Sequence, residues 1–226
     1  MQRRADQAAA VAQRLFPPGA EVAACAIGAA PPPWPSEAPA IAAAVPARQA
    51  EFAAGRAAVR AALNALGLPA VAVPVAGTRA PVWPSGIVGS ITHSDGLALA
   101  VLAPSRHCGG LGFDAEPDAP FPEDLVGSVT HRDERRWLAA QRDPLSAARM
   151  IFVAKEAAYK CQFPASQAVL GFDALRIGFS GEGRIEATFT IAVPPFTVGQ
   201  RLQGRIARGA GLVMAGFSRA VPTGHA

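Results

Sequence analysis

The sequence predicts an α+β fold with two lobes, because each half of the chain pairs one long helical segment with short antiparallel strands. In the first half, the segment 46–66 keeps its large apolar residues on one helical face, and a hairpin follows at 87–103. In the second half, a helix at 144–161 precedes several strand segments. The expected lobes are therefore 1–103 and 104–226, each with its long helix packed on a small, mostly antiparallel sheet.

The remaining elements follow from apolar periodicity and from the positions of glycine and proline. A short amphipathic helix is expected at 3–16, where Pro17 ends it. Gly67 ends the first long helix, whereas Asp143 as N-cap and Pro144 in the first turn begin the second one. The expected strands are 22–27, 71–75, 87–93, 97–103, 111–116, 174–179, 184–191, 202–207 and 212–218, with a further helix at 133–142.

The composition limits the classes of protein. With 226 residues, 50% of them hydrophobic and 17% charged, the chain can form a sizeable core. Its net charge of +4 favours an acidic partner, although no basic run typical of a nucleic-acid tail occurs. Three cysteines without CxxC spacing favour a reducing compartment and argue against zinc. The N-terminal region has no signal peptide or apolar segment long enough to span a bilayer, so we expect a cytoplasmic protein without a membrane span.

One short segment concentrates rare residues. Lys155 and Lys160 are the only lysines of the chain, and Tyr159 is its only tyrosine. On a helix, Lys155 and Tyr159 share one face, and Glu156 and Lys160 share the next. A solvated Glu–Lys pair is the simplest alternative, but apolar residues on both sides of the segment favour a functional site.

The stretch 112–117 carries two acidic residues on a predicted strand. Asp114 and Glu116 point to the same side of that strand, where two carboxylates repel unless a cation or a proton lies between them. Hard oxygen ligands without His or Cys suit Mg²⁺ completed by water and phosphate oxygens. An ordinary polar strand edge is the alternative. Glu156, from the helix, is the natural third ligand or a general base.

Other polar residues are suited to binding anions. Thr92 and His93 lie where a strand ends at a glycine-containing turn, a place from which side chains often contact ligands. Four arginines lie on the first long helix and in the loop after it, and planar guanidinium groups bind phosphate oxygens through paired hydrogen bonds. A solvated basic face is the alternative. These arginines are Arg48, Arg56, Arg60 and Arg79. The whole set indicates a Mg²⁺-dependent reaction on a phosphorylated small molecule.

Four motifs, by their order and spacing, resemble those of the 4′-phosphopantetheinyl transferases, most closely the monomeric, enterobactin-synthetase-type branch. Ala58 and Val153 replace the Cys and Ser that are usual in that branch, and neither is expected to take part in chemistry. The motifs are RQAEFAAGRAAVRAAL at 48–63, RAPVWPSGIVGSITHS at 79–94, GFDAEP at 112–117 and FVAKEAAYK at 152–160.

The resemblance implies two similar α+β lobes related by a pseudo-twofold axis, with coenzyme A in the cleft between them. Such an enzyme transfers the phosphopantetheine arm of CoA to a serine of an apo acyl, aryl or peptidyl carrier protein and releases 3′,5′-ADP. Enzymes of this kind serve siderophore, nonribosomal peptide and polyketide synthesis. The resemblance further implies Mg²⁺, with Mn²⁺ as a substitute, acidic carrier partners, a monomer and no nucleic acid.

The resemblance also implies roles for individual residues. Glu156 deprotonates the carrier serine, with Glu134 as a second candidate base, and Lys155 and Lys160 stabilise charge on the pyrophosphate. The implied metal ligands are Asp114, Glu116 and Glu156, and the implied CoA-binding residues are Arg48, Arg56, Arg79, Thr92, His93, Asp114, Lys155 and Lys160.

Two other functions compete with this interpretation. A catalytically silent CoA- or nucleotide-binding protein would not need the complete set of carboxylates and lysines. An RNA-binding protein built on the basic helix predicts exposed aromatic residues among the cations. We expect Phe52, Trp83, Phe113 and Phe152 in the core instead, which disfavours RNA binding.

Overall fold

The computed structural model describes residues 1–221 and contains two antiparallel sheets, each covered by one long helix. Short 3₁₀ turns lie at Ala38–Ile41, Glu123–Leu125 and Phe172–Ala174. In chain order the helices and strands are α1 (Gln2–Gln13), β1 (Glu21–Ala26), α2 (Pro46–Ala65), β2 (Ile87–Ser94), β3 (Leu97–Pro104), β4 (Gly110–Pro117), α3 (Val126–Val129), α4 (Arg132–Ala139), α5 (Pro144–Ser166), β5 (Leu175–Phe179), β6 (Arg184–Phe189), β7 (Arg201–Gly209) and β8 (Leu212–Arg219).

The two sheets share one connection pattern. In the first sheet, with strand order β1-β3-β2, the strand before α2 pairs with the second strand of the hairpin after it. In the second sheet, with order β4-β8-β7-β6-β5, the strand before α5 pairs with the second strand of the β7–β8 hairpin. Strands β5 and β6 extend this sheet. The predicted α+β class with antiparallel sheets is confirmed.

The strand expected at 71–75, which lies within the described residues, does not form. Val75 makes an isolated bridge to Pro81, and the rest of the segment is irregular. Pro74 has no backbone N–H for a ladder. The amide of Val73 donates to a side chain instead. Proline therefore overrides the β-branched residues that suggested a strand.

Helix α5 continues past its expected end at Cys161 and reaches Ser166. Pro164 lies in the last turn, where the one hydrogen bond that it removes costs less than it would in mid-helix. Gln167 then adopts a left-handed conformation with φ of 54°, and its amide donates to the carbonyl oxygen of Phe163. The extension brings the last turn of α5 to the cleft described below.

Helix α1 joins the two sheets from the side that neither long helix covers. Its small apolar face packs into a core cluster built from β3, β4 and β8. Phe16, just after the helix, meets Phe113 edge-to-face with ring centroids 5.5 Å apart. The Arg4 side chain donates to the carbonyl oxygens of Asp95 and Ala210, which lie in the β2–β3 and β7–β8 turns. Both hairpins are thus tied to one helix.

Helix α5 lies directly on β4, and Gly112 permits this contact. A Cβ at Gly112 would overlap the carbonyl oxygen of Ala157 and come within 2.5 Å of the backbone nitrogen of Cys161. Backbone atoms of a packed helix cannot move aside as a flexible side chain does. The contact holds Lys160 of α5 beside Asp114 of β4.

Gly112→Ala should separate α5 from β4. We expect the free energy of unfolding to fall by about 3 kcal/mol or more, because the added methyl group overlaps backbone rather than side chains. Gly178→Ala is the matched control, since a Cβ there meets nothing within 4 Å and the site is also a strand glycine. Chemical denaturation of the two variants and the parent checks this. Equal stability of both variants would contradict the close contact.

Candidate active site

A cleft of about 850 Å³ opens between α2, β2, β4 and the end of α5. It brings together most of the side chains that the sequence marks as functional, from both halves of the chain. Phe52 and Trp83, expected in the core, line this cleft instead and are only half-buried. The expected site residues along the cleft are Arg48, Arg56, Arg79, Thr92, His93, Asp114, Glu116 and Lys160.

Asp114 lies at the centre of the polar contacts. Its Oδ1 atom accepts from Lys160 Nζ at 2.7 Å and from the Thr92 hydroxyl at 2.9 Å. Lys160 Nζ also donates to the carbonyl oxygen of Phe113 at 3.2 Å. The Oδ2 atom is buried and has no hydrogen-bond partner among the described residues. An unpartnered buried carboxylate oxygen is costly, so this atom is suited to a ligand.

Polar side chains of β2 join it to β4, although the two strands belong to different sheets. The Ser90 hydroxyl accepts from the Phe113 amide at 3.0 Å, and Thr92 bonds Asp114 as described above. In the sequence, Ser90 lies in the same motif as Thr92 and His93, but nothing there assigns it a function. Its alternation with Thr92 along a strand was the available signal, because residues two apart face the same side.

Three carboxylates share this region with few cations. Burial, and then the negative charge of Asp114, raise the pKa of both Glu116 and Glu156, while Lys160 opposes the rise. Arg149 adds one contact to Glu116 at 3.4 Å. Among residues 1–221, no three His, Cys, Asp or Glu side chains converge closely enough to form a preassembled metal site. The oxygen donors fit a hard cation, which would need further oxygen ligands to complete its shell.

Arg56 is a buried cation with free hydrogen-bonding capacity. It is 4% exposed, and its guanidinium stacks over the Phe52 ring at 4.2 Å. Its Nε atom finds no acceptor within the described residues. Burial lowers the pKa of Arg56 to about 10, so the group stays protonated at neutral pH. This geometry leaves a planar cation available to an anionic ligand.

A second basic cluster lies at the mouth of the cleft. The Arg48 guanidinium donates to Glu51 at 2.9 Å and to Nε2 of His93 at 2.6 Å, which requires a neutral His93 ring. Burial lowers the pKa of His93, Glu51 opposes the shift, and Arg48 strengthens it. Arg79 lines the same cleft from a turn where its φ is 69°.

Lys155 and Glu134 form a separate buried pair. Lys155 is 2% exposed, its Nζ lies 2.7 Å from Glu134, and it donates to the carbonyl oxygen of Phe172 at 2.7 Å. Glu134 also accepts from the amides of His131 and Ile177. Lys155 is not among the described residues that line the large cleft. Glu134 follows His131 by three residues, which is the spacing of a capping box. In the sequence, this spacing was the signal that Glu134 accepts from the His131 amide.

Glu156 lies at a second, smaller cavity. With Lys155 and Tyr159 it lines this mainly apolar cavity of about 200 Å³, whose wall also includes Leu170 and Phe172. Tyr159 lines both this cavity and the large cleft. Glu156 therefore lies near the Asp114–Lys160 pair, whose charges act on its pKa, but it is not among the described residues that line the large cleft.

The pKa of His93 offers a test of the cleft's electrostatics. Glu51→Gln removes the carboxylate that lies 3.7 Å from Nε2 and leaves Arg48 in place, so the midpoint should move further below 6.5. A titration of the imidazole followed by NMR measures it, with Glu182→Gln at an exposed turn as the control. An unchanged or higher midpoint would contradict this arrangement.

Comparison with known proteins finds two matching family models. A family model described as the 4′-phosphopantetheinyl transferase N-terminal domain matches residues 36–103, and one described as the 4′-phosphopantetheinyl transferase superfamily matches residues 110–207. The chain is 39% identical over 202 residues to the 4′-phosphopantetheinyl transferase Svp of Streptomyces mobaraensis, covering 85% of this chain and 81% of that protein.

Two further relatives have related names. The 4′-phosphopantetheinyl transferase PptT of Mycobacterium tuberculosis is 34% identical over 193 residues, covering 80% of this chain and 84% of its own. Enterobactin synthase component D of Salmonella typhi is 36% identical over 125 residues, covering 55% of this chain and 52% of its own. The resemblance seen in the motifs is confirmed, and the chain belongs to the 4′-phosphopantetheinyl transferase superfamily.

Proposed function

We propose that this 4′-phosphopantetheinyl transferase binds CoA in the large cleft, between lobes that divide near residue 104. It transfers the phosphopantetheine arm to a serine of an apo carrier protein and releases 3′,5′-ADP. One observation carries the proposal. The buried cation Arg56 and the Asp114–Lys160 pair line the same cleft, and each has a polar atom without a partner among residues 1–221. CoA carries a pyrophosphate and a separate phosphate monoester, so it can contact Arg56 and the Asp114–Lys160 pair at the same time.

The arginines supply phosphate contacts that exist before the reaction begins. Arg56 offers a buried, protonated guanidinium, and Arg48 and Arg79 add two more at the mouth of the cleft. His93, kept neutral by its surroundings, is a hydrogen-bonding group rather than a charge. Because these contacts precede transfer, they favour binding of CoA more than they accelerate chemistry.

Asp114, Glu116 and Glu156 are the residues that would hold Mg²⁺, with Mn²⁺ as a substitute. Two observations support this assignment: Oδ2 of Asp114 has no partner within the described chain, and the pKa values of the other two carboxyls are raised. When bound, the ion would supply positive charge to the pyrophosphate. Thr92 and Lys160 hold Asp114 in place through its other oxygen.

Glu156 is the proposed general base. Serine is a weak nucleophile, so a carboxylate must accept its proton as the hydroxyl attacks phosphorus. Burial raises the pKa of Glu156 toward neutrality, which makes it a stronger base than an exposed glutamate. Glu134 is a poorer candidate, because its oxygens already accept from Lys155 and two backbone amides. Lys160 stabilises negative charge that develops on the leaving 3′,5′-ADP.

The proposal includes an acidic carrier protein as partner and a monomer in the cytoplasm. A net charge of +4 complements an acidic partner and speeds its encounter. All three cysteines lie in the described chain and are free thiols, as suits a reducing compartment. Across residues 1–221, no helix has both the length and the apolarity needed to cross a bilayer.

The direct test is the intact mass of an apo carrier protein after incubation with CoA and Mg²⁺. We expect the mass to rise by one phosphopantetheine group, and to stay unchanged when a chelator removes the divalent cation. A carrier whose acceptor serine is replaced by alanine is the control. Transfer that continues in excess chelator would contradict the role of the three carboxylates.

Glu156→Gln tests the proposed base. Glutamine keeps the size of the side chain but cannot accept the serine proton, so single-turnover transfer at saturating CoA should fall by about 10²–10⁴. Thermal melting should stay near that of the parent, because Glu156 is only half-buried and bonds no described residue that needs its charge. Glu182→Gln, at an exposed turn, is the matched control. A folded variant that transfers at the parental rate would remove Glu156 from the mechanism.

A further inference from the structure

A buried carboxylate joins three segments in the first half of the chain. Glu37 is 0% exposed, and its Oε2 accepts from the Trp34 amide at 2.9 Å. Its Oε1 accepts from the Val73 amide at 2.9 Å, and Arg60 Nη1 lies 3.1–3.2 Å from both oxygens. Removing one partner of a buried pair leaves an uncompensated charge, so the pair resists separation.

The same arrangement recurs in the second half, around Glu134. Each glutamate accepts from the amide three residues before it, Trp34 or His131. Each pairs with a cation on the long helix that follows, which is Arg60 of α2 or Lys155 of α5. Each also accepts from an amide in the segment after that helix. The repeated connection pattern of the two sheets therefore extends to a repeated buried clamp.

The Glu37 clamp lies behind one end of the large cleft. The segment just after Glu37 contributes Ala40, Ile41 and Ala44 to the cleft wall. The segment just after Val73 contributes further lining residues, which include Arg79. The described residues that line the cleft include neither Glu37 nor Arg60. The clamp therefore joins two segments that line the cleft, although neither Glu37 nor Arg60 lines it.

The clamp also borders Arg56. Arg60 follows Arg56 by one turn of α2, and its guanidinium packs over the Trp34 ring at 4.9 Å. The sequence grouped Arg60 with the phosphate-binding arginines, but its side chain is 10% exposed and is paired with Glu37. Its position behind the wall corrects that expectation.

We propose that Glu37 and Arg60 are positioning residues for CoA binding. They fix the distance between the two lining segments that follow Glu37 and Val73, and the orientation of Arg56, and they contact no ligand themselves. This proposal rests on the proposed function, in which the cleft binds CoA. The equivalent pair, Glu134 and Lys155, holds α4 and β5 against α5 beside Glu156.

Glu37→Gln is the test. Glutamine keeps the size but loses the charge and one acceptor, so Arg60 loses its ion-pair partner and one backbone amide loses its acceptor. The KM for CoA and the Kd from calorimetry should each rise roughly tenfold or more, because outer contacts orient the groups that touch the ligand. The kcat at saturating CoA should stay within about twofold of the parent.

Two controls separate positioning from general loss of stability. Leu202→Ala removes core packing on β7, distant from the cleft, and should lower the melting temperature while leaving the KM for CoA unchanged. Arg56→Ala removes a proposed direct contact and should raise the KM as well. If Glu37→Gln does not fold, Glu37→Asp, which keeps the charge on a shorter side chain, should raise the Kd in the same direction.

Each outcome decides a separate point. A Glu37 variant that melts lower but keeps the parental KM and Kd would overturn the positioning role. A fall in kcat without a change in the KM or the Kd would overturn it too. Parental protein that binds CoA but modifies no carrier would refute the proposed function, and the Kd would still test the clamp.

Discussion

The contact between α5 and β4 at Gly112 is the constraint on which the site depends. Two backbones approach there so closely that a single methyl group would not fit. The approach sets Lys160 against Asp114 and brings Glu156 within the electrostatic influence of both. A longer separation would leave these groups as ordinary surface charges with little effect on each other. One glycine therefore determines whether the carboxylates and the ammonium act as a unit.

The site is assembled from both sheets, and polar bonds link its parts. Thr92 and Lys160 share one oxygen of Asp114, and the other oxygen is buried with no hydrogen-bond partner in the described part of the chain. Burial, and then the negative charge of Asp114, raise the pKa of Glu116 and Glu156, while Arg56 has a buried donor with no acceptor among the described residues. Such a set is incomplete by itself, because both positive and negative groups lack partners among residues 1–221. The proposed phosphorylated ligand and hard cation would supply both.

The sequence predicted the fold class, the order of most elements and the side chains that line the cleft, because short motifs with glycine and paired charges specify them locally. It did not show that Lys155 and Lys160 have different partners. The five-residue step along the helix turns one side chain toward Glu134 and the other toward Asp114. Nor did it reveal the bond from Ser90 to β4 or the pairing of Glu37 with Arg60. These contacts join residues distant in sequence, and no local pattern encodes which partner each will meet.

The most direct measurement is a crystal structure of the chain with CoA and Mn²⁺, with the ion located by its anomalous scattering. The account predicts an anomalous peak between Asp114 and the pyrophosphate, with Arg56 contacting a phosphate group and Lys160 beside the bond that breaks. Lys155 should remain paired with Glu134. A pyrophosphate bound away from Asp114, or a complex in which Glu134 faces the scissile phosphorus, would contradict it.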